Sequence, residues 1–235
     1  MVTTTGHTVK AFDEDLSELR GLVSEMGGRA EAAIIDALAA LQHRDLDSAA
    51  RVVEGDRKID ELEAEIERRV VRLIALRAPM ADDLRDILAA LKIAAVVERM
   101  GDYAKNIAKR VPVLQDARGM EPMSVLPSMG RVTASMVRDV LDAFVTRDAQ
   151  AALAVVERDR EVDDFYNSLF RTLLTYMMEN PHNITASTHL LFIAKNLERI
   201  GDHATNVAEM VYFAATGQTM AERTKGEDPL AGDAK

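Results

Sequence analysis

Apolar residues recur along this chain at helical spacing. In the stretch Leu84, Ile87, Leu88, Leu91, Ala94, Ala95, steps of three and four residues draw one apolar stripe down a helix. No strand pattern competes with it. The prolines, at 79, 112, 122, 127, 181 and 229, fall outside the long amphipathic runs and punctuate them. Proline lacks the backbone N–H and clashes with the preceding turn, so it marks helix ends.

The pattern predicts six helices: Val9 to Gln42, Asp45 to before Pro79, Asp82 or Asp83 to Arg110, Met129 to Thr146, Asp148 to Glu179, and Asn183 to Gly217. Glycines 21, 27 and 28 either weaken the first helix or let a neighbour approach closely. Asn183 suits an N-cap and Gly217 a C-cap.

The chain also repeats itself. Residues 91–108, LKIAAVVERMGDYAKNIA, match residues 191–208, LFIAKNLERIGDHATNVA, at ten of 18 positions. Residues 52–60, VVEGDRKID, match 155–163, VVERDREVD, at six of nine. The two matches come in the same order and at nearly the same offset, which chance explains poorly. The repeat is far longer than a solenoid unit. The expected fold is all-α: two tandem three-helix bundles from an internal duplication, over 1–115 and 128–219. A linker at 116–127 joins them and a polar tail follows at 220–235.

Composition narrows the chemistry. Apolar residues make up 48% of the chain and aromatics 4%, so aliphatic side chains and methionine fill the core. With 39 acidic and 29 basic residues the net charge is −10, a surface that does not attract nucleic acid. There is no cysteine, which excludes disulfides, thiolate metal sites and cysteine nucleophiles. No signal pattern opens the chain and no apolar run is long enough for a membrane span, so a cytoplasmic protein is expected.

Each copy carries two acidic pairs four residues apart. They are Asp56 with Asp60 and Glu98 with Asp102, then Asp159 with Asp163 and Glu198 with Asp202. Four residues turn a helix by about 400°, so each pair shares one face. Asn106 and Asn206 extend the stripe by a turn. Solvated like charges at this spacing cost only about 0.2–0.5 kcal/mol per pair. Gathered into a partly buried seam they repel far more: about 4 kcal/mol at 4 Å with an effective dielectric near 20. Protons, the adjacent Arg99 and Arg199, or bound cations are the candidates to neutralise them.

Solvent-facing acids are the ordinary case. Here, however, Glu98 and Asp102 sit among Ile93, Ala94, Val97, Ala104 and Ile107. Gly101 and Gly201, one inside each motif, cost a helix about 1 kcal/mol against alanine and mark a close approach by a helix or ligand. The reading is one carboxylate metal site per half. All-oxygen donors favour Mg, Mn, Ca or Fe, with Zn reachable through carboxylates. Arg99 and Arg199 fit an ion pair with a neighbouring helix or a share in holding an anion. Lys105, Lys109 and Arg110 read as a solvated helix end complementing the dipole.

Histidine adds little, since Tyr103 stands where the second copy has His203. No metalloprotease motif, phosphate-cradling glycine loop or nucleophile elbow occurs. A metal-dependent hydrolase or redox enzyme using the same carboxylates is the competing class, and a purely structural module the third.

The segments ERMGDYAKNIA and ERIGDHATNVA, with HTVKAFDEDLSELR near the start, DRKID, and PMADDLRDI before the first motif, resemble the paired signature of the PhoU family. The resemblance runs over nearly the whole chain. It implies two three-helix bundles in pseudo-twofold symmetry, with metal ions on Glu98, Asp102, Glu198 and Asp202 and with Asp56, Asp60, Asp159 and Asp163 opposite. It further implies a cytoplasmic, often homodimeric adaptor between the ATPase of the phosphate ABC transporter and a sensor histidine kinase. Such adaptors damp the phosphate-starvation response when phosphate is ample. Gly55, where the second copy has Arg158, is a departure expected to make the two sites unequal.

Overall fold

The computed structural model describes the backbone over residues 5–117 and 121–220, and side chains over 12–117 and 123–220. The expected polar tail lies outside the described residues from 221 onward, as does part of the linker. Six α-helices run through the chain: α1 Thr5–His43, α2 Leu46–Arg77, α3 Ala81–Ala108, α4 Leu126–Thr146, α5 Ala149–Glu179 and α6 Ile184–Thr216. There is no strand among the described residues.

Three helix starts differ from the expectation: α1 opens at Thr5 rather than at Val9. Helix α4 opens three residues early and takes in Pro127, which is tolerated in a first turn because its missing N–H has no intrahelical partner there. Asn183 makes no side-chain cap to α6; a one-turn 3-10 helix at Pro181–Asn183 precedes it. The caps of α2 and α5 are repeats of each other. Asp45 accepts from the Ser48 amide at 3.0 Å, and Asp148 from those of Gln150 and Ala151 at 2.9 and 3.0 Å. The preceding residue in each case, Arg44 or Arg147, takes a left-handed φ of 55°. Both guanidinium groups then tie down distant backbone: Arg44 donates to Gln115 and Ala117 carbonyls, Arg147 to that of Ala214.

Helices α1, α3, α4 and α6 form the centre, with α2 packed outside α1 and α3, and α5 outside α4 and α6. The halves meet where α1 crosses α4 and α3 crosses α6. At the first crossing a side chain fills a glycine notch twice over. A Cβ on Gly27 would fall 1.9 Å from Leu141 Cδ1, and one on Gly130 would fall 1.9 Å from Leu38 Cδ1. The two contacts are repeat images of each other, so Gly27 answers the sequence question in favour of close approach. Gly21 and Gly28 face open space.

The outer helices bury one narrow stripe each. On α2 it runs Ala49, Val52, Asp56, Ile59, Leu62, Ile66, Val70, Leu73. On α5 it runs Ala152, Val155, Asp159, Val162, Leu169, Leu173. An aspartate holds an apolar position in both. A third buried acid, Asp86 of α3, takes ion pairs from Arg20 at 2.5 Å and Arg147 at 3.3 Å, stapling α3 to α1 and to the end of α4.

Candidate functional site

The buried aspartates set the site. Asp56 is 5% exposed and Asp159 1% exposed, and each faces the motif glycine of the next helix. A Cβ on Gly101 would meet Ile59 Cδ1 at 2.8 Å and Asp56 Oδ1 at 3.4 Å. A Cβ on Gly201 would meet Asp159 Oδ1 at 2.9 Å. The motif glycines therefore open room for a carboxylate from the outer helix, and the acidic pairs of α2 and α3, and of α5 and α6, face one another.

In the first half, Lys105 answers the charge. Its ammonium bridges Asp56 of α2 and Asp102 of its own helix, the latter at 2.5 Å. Burial pushes that ammonium down, but the hydrogen bonds it donates to Asp102 and Asp56 outweigh this and hold it well above its ordinary value. Lys105 is thus part of the site rather than a solvated helix end. Glu98 lies beyond its reach. Burial, then the charges of Asp102, Glu63, Asp60 and Asp56, hold the Glu98 carboxyl above the usual range. Partial desolvation and Asp56 do the same to Asp60, with Lys105 pulling the other way. Glu63, not singled out from the sequence, joins them: burial, Glu67 and Asp60 raise it and Arg99 lowers it.

The second half is built differently. Thr205 stands where Lys105 does, and its hydroxyl donates to the Asp202 carbonyl at 2.7 Å. The cation comes instead from Lys195, one turn before Glu198, whose Oε1 it meets at 2.7 Å while lying 5.0 Å over the Tyr166 ring. Burial still holds Glu198 above the usual range, although Lys195 opposes it. Tyr166 occupies the position of Glu63, so this seam carries fewer acids. The inequality of the halves therefore lies in these exchanges. Arg158 turns away, donating to Asp139 and Ser135 on α4, while Gly55 faces open space.

Other named residues separate from the acids. Asn106 is half-buried and Asn206 is exposed, with its amide 3.4 Å from His203 Nδ1. Arg99 and Arg199 are exposed and make no ion pair among the described residues. His203 stacks on Tyr103, ring centroids 5.5 Å apart and planes 14° from parallel.

Oxygen donors of this kind suit a hard cation. Two buried oxygens, Asp56 Oδ1 and Glu198 Oε2, have no hydrogen-bond partner, one in each seam. The donor chemistry fits. Among the described residues, however, no three acidic or histidine side chains converge closely enough to hold an ion. The lysines take the cation's place in this arrangement.

The PhoU-domain family model matches residues 23–111 and 126–211, one match per half. The chain belongs to the PhoU family. Among curated relatives, a phosphate-specific transport system accessory protein PhoU homolog from Zymomonas mobilis is 61% identical over 97% of this chain and 96% of its own length. A homolog of the same description from Caulobacter vibrioides is 51% identical over 97% of this chain and 99% of its own. The crystal structure of PhoU from Pseudomonas aeruginosa superposes with a TM-score of 0.84 at 36% identity, covering 88% of this chain and all of that one. The PhoU structure from Streptococcus pneumoniae gives 0.83 at 30% identity, over 89% of this chain and 99% of that one. The duplicated all-α fold read from the sequence is the fold of the family. No helix among the described residues is long and apolar enough to cross a membrane.

Proposed function

We propose that this chain is a non-catalytic, metal-binding cytoplasmic regulator of phosphate uptake. It connects the ATPase subunit of the phosphate ABC transporter to a sensor histidine kinase, as a homodimer, and represses the phosphate-starvation response when phosphate is sufficient. The observation that carries this reading is likeness over nearly the full length, both motif helices included, to proteins named as accessory to phosphate-specific transport.

Metal enters on the acids of the two seams: Asp56, Asp60, Glu98 and Asp102 in one, Asp159, Asp163, Glu198 and Asp202 in the other. These carboxylates take Mg, Mn, Ca, Fe or Zn, and the bound charge offsets both the desolvation and the like-charge repulsion that raise Glu98 and Glu198. Loading the first seam requires Lys105 to leave Asp56 and Asp102. The metal supplies charge neutralisation and tension between helices; no reaction step is assigned to it.

Two measurements test this. Affinity purification of the tagged chain from its host is expected to retain the transporter ATPase and the kinase, and recovery of neither contradicts the adaptor role. Metal analysis of protein purified without chelator is expected to show bound metal that Asp56→Asn with Glu98→Gln reduces. Phosphatase or oxidase turnover abolished by Asp102→Ala refutes the non-catalytic reading in favour of the enzyme.

A further inference from the structure

The two halves differ in the outer seam between their first two helices. The copies align there without a gap, from Gly27 against Gly130 to Asp56 against Asp159. In the second half the seam is closed. Arg158 of α5 reaches α4, its Nη1 2.5 Å from Asp139 Oδ2 and its Nη2 2.6 Å from Ser135 Oγ. In the first half the same seam is open, and a groove of about 410 Å³ runs along α1 from Arg29 to His43, walled on its other side by α2. Four positions carry smaller side chains than their repeat images: Gly55 stands for Arg158, Ala32 for Ser135, Ala33 for Met136 and Ala39 for Asp142. All four line the groove, and so does Asp36, the unchanged counterpart of Asp139.

Nothing in the first half replaces the missing guanidinium. Asp36 is exposed and makes no hydrogen bond or ion pair among the described residues. The cations that line the groove are engaged elsewhere: Arg29 pairs with Glu25 at 2.9 Å, and Arg51 donates to the Ser48 hydroxyl at 2.7 Å. The stretch from Arg29 to His43 is about 21 Å of helix, roughly four turns, which is the footprint of another helix laid alongside. A floor of alanine and glycine lets such a helix approach closely. A guanidinium is a planar fork of N–H donors matched to a carboxylate, and with Ala32 in place of the serine the fork is left to Asp36 alone. A second copy fits poorly, because a twofold contact centred on the groove sets Asp36 toward Asp36, like charge against like.

We propose that the α1–α2 groove of the first half docks a helix of a partner protein, whose arginine takes on Asp36 the place that Arg158 takes on Asp139. Because Arg158 closes the equivalent seam, the duplicated fold offers this face once rather than twice. Choosing the transporter ATPase and the kinase as probes rests on the adaptor reading above; the open groove and its unpaired carboxylate do not.

Biolayer interferometry with the immobilised full chain tests it, against the purified transporter ATPase and, separately, the detergent-solubilised kinase of the same host. Gly55→Arg supplies the missing guanidinium from within the chain, and a Cβ there meets nothing within 4 Å, so the fold accepts it. The variant is expected to keep the parent's circular dichroism and at least its Tm. It is expected to weaken one partner by about tenfold or more, the worth of a charge-assisted hydrogen bond. Asp36→Asn, near-isosteric at an exposed position, is expected to weaken the same partner to a similar degree. Gly28→Ala, on the same helix but outside the groove, is expected to leave both unchanged. Parent-like binding of both partners by Gly55→Arg overturns the docking site and leaves the adaptor reading intact. Loss in Gly55→Arg with full binding in Asp36→Asn overturns the arginine. A parent chain that binds neither partner overturns the site together with the adaptor reading. A parent dimer that Gly55→Arg dissociates in sedimentation velocity makes the groove a self-interface, which also overturns the proposal.

Discussion

Replacing Lys105 with methionine keeps an unbranched apolar stem and removes the charge that bridges Asp56 and Asp102. Breaking a fully buried ion pair costs about 3–5 kcal/mol, because the remaining charge is left without compensation. An exposed pair is worth at most about 1 kcal/mol. The Asp56 side chain is only 6% exposed, Lys105 is 22% exposed and Asp102 is 43% exposed. The case thus falls between those limits, and a loss of about 2 kcal/mol follows. For a chain of this length that corresponds to a drop in Tm of roughly 4–8 °C. Thermal and urea unfolding by far-ultraviolet circular dichroism, in chelator, reads it. Added Mn or Mg is expected to recover more stability in Lys105→Met than in the parent, since the ion then meets no tethered competitor. A loss below about 0.5 kcal/mol in chelator refutes the claim that Lys105 neutralises a buried acid.

Gly28→Ala is expected to stabilise by about 0.5–1 kcal/mol, because its face is open and alanine is the better helix former. Gly130→Ala gains the same propensity but drives a methyl into buried Leu38, for a net loss of about 1 kcal/mol; equal effects of the two in urea titrations contradict the notch. Asp86→Ala leaves Arg20 and Arg147 without their partner and is expected to cost about 3 kcal/mol by the same assay. The pH dependence has a definite sign at Glu98. Its folded-state carboxyl is raised, so its contribution is fully present below the ordinary glutamate value of 4.5 and is lost as pH rises through the folded value. Metal-free Glu98→Gln is therefore expected to be more stable than the parent at pH 7, with the gap closing toward pH 4.5. A gap independent of pH removes the repulsion argument. Asp45, Glu61 and Glu65 are lowered by hydrogen bonds and act oppositely, losing stability only below their ordinary range.

Much of this was legible in the chain because the signals are local. Helix periodicity, the RD dipeptides that close α1 and α4, and the doubled motif need no tertiary knowledge. Burial of Asp56 was also within reach, since it falls in step with Ala49, Val52, Ile59, Ile66 and Leu73. Lys105 and Lys195 were hidden for a physical reason. The two copies draw their cation from different turns, so aligning the repeats sets Lys105 against Thr205 and Lys195 against Ala95. A lysine three residues past an aspartate near a helix end reads as dipole complement, and only the packing of α2 brings Asp56 beside it. Likewise Gly27 could not be told from Gly21 and Gly28 until Leu141 of the other half was in place.

The most direct test of the central claim is a phosphate-starvation reporter in the host, read in phosphate-rich medium after deletion of the gene. The account expects high expression in the deletion strain and return to repression when the parent chain is restored. Expression that stays low without the gene contradicts it.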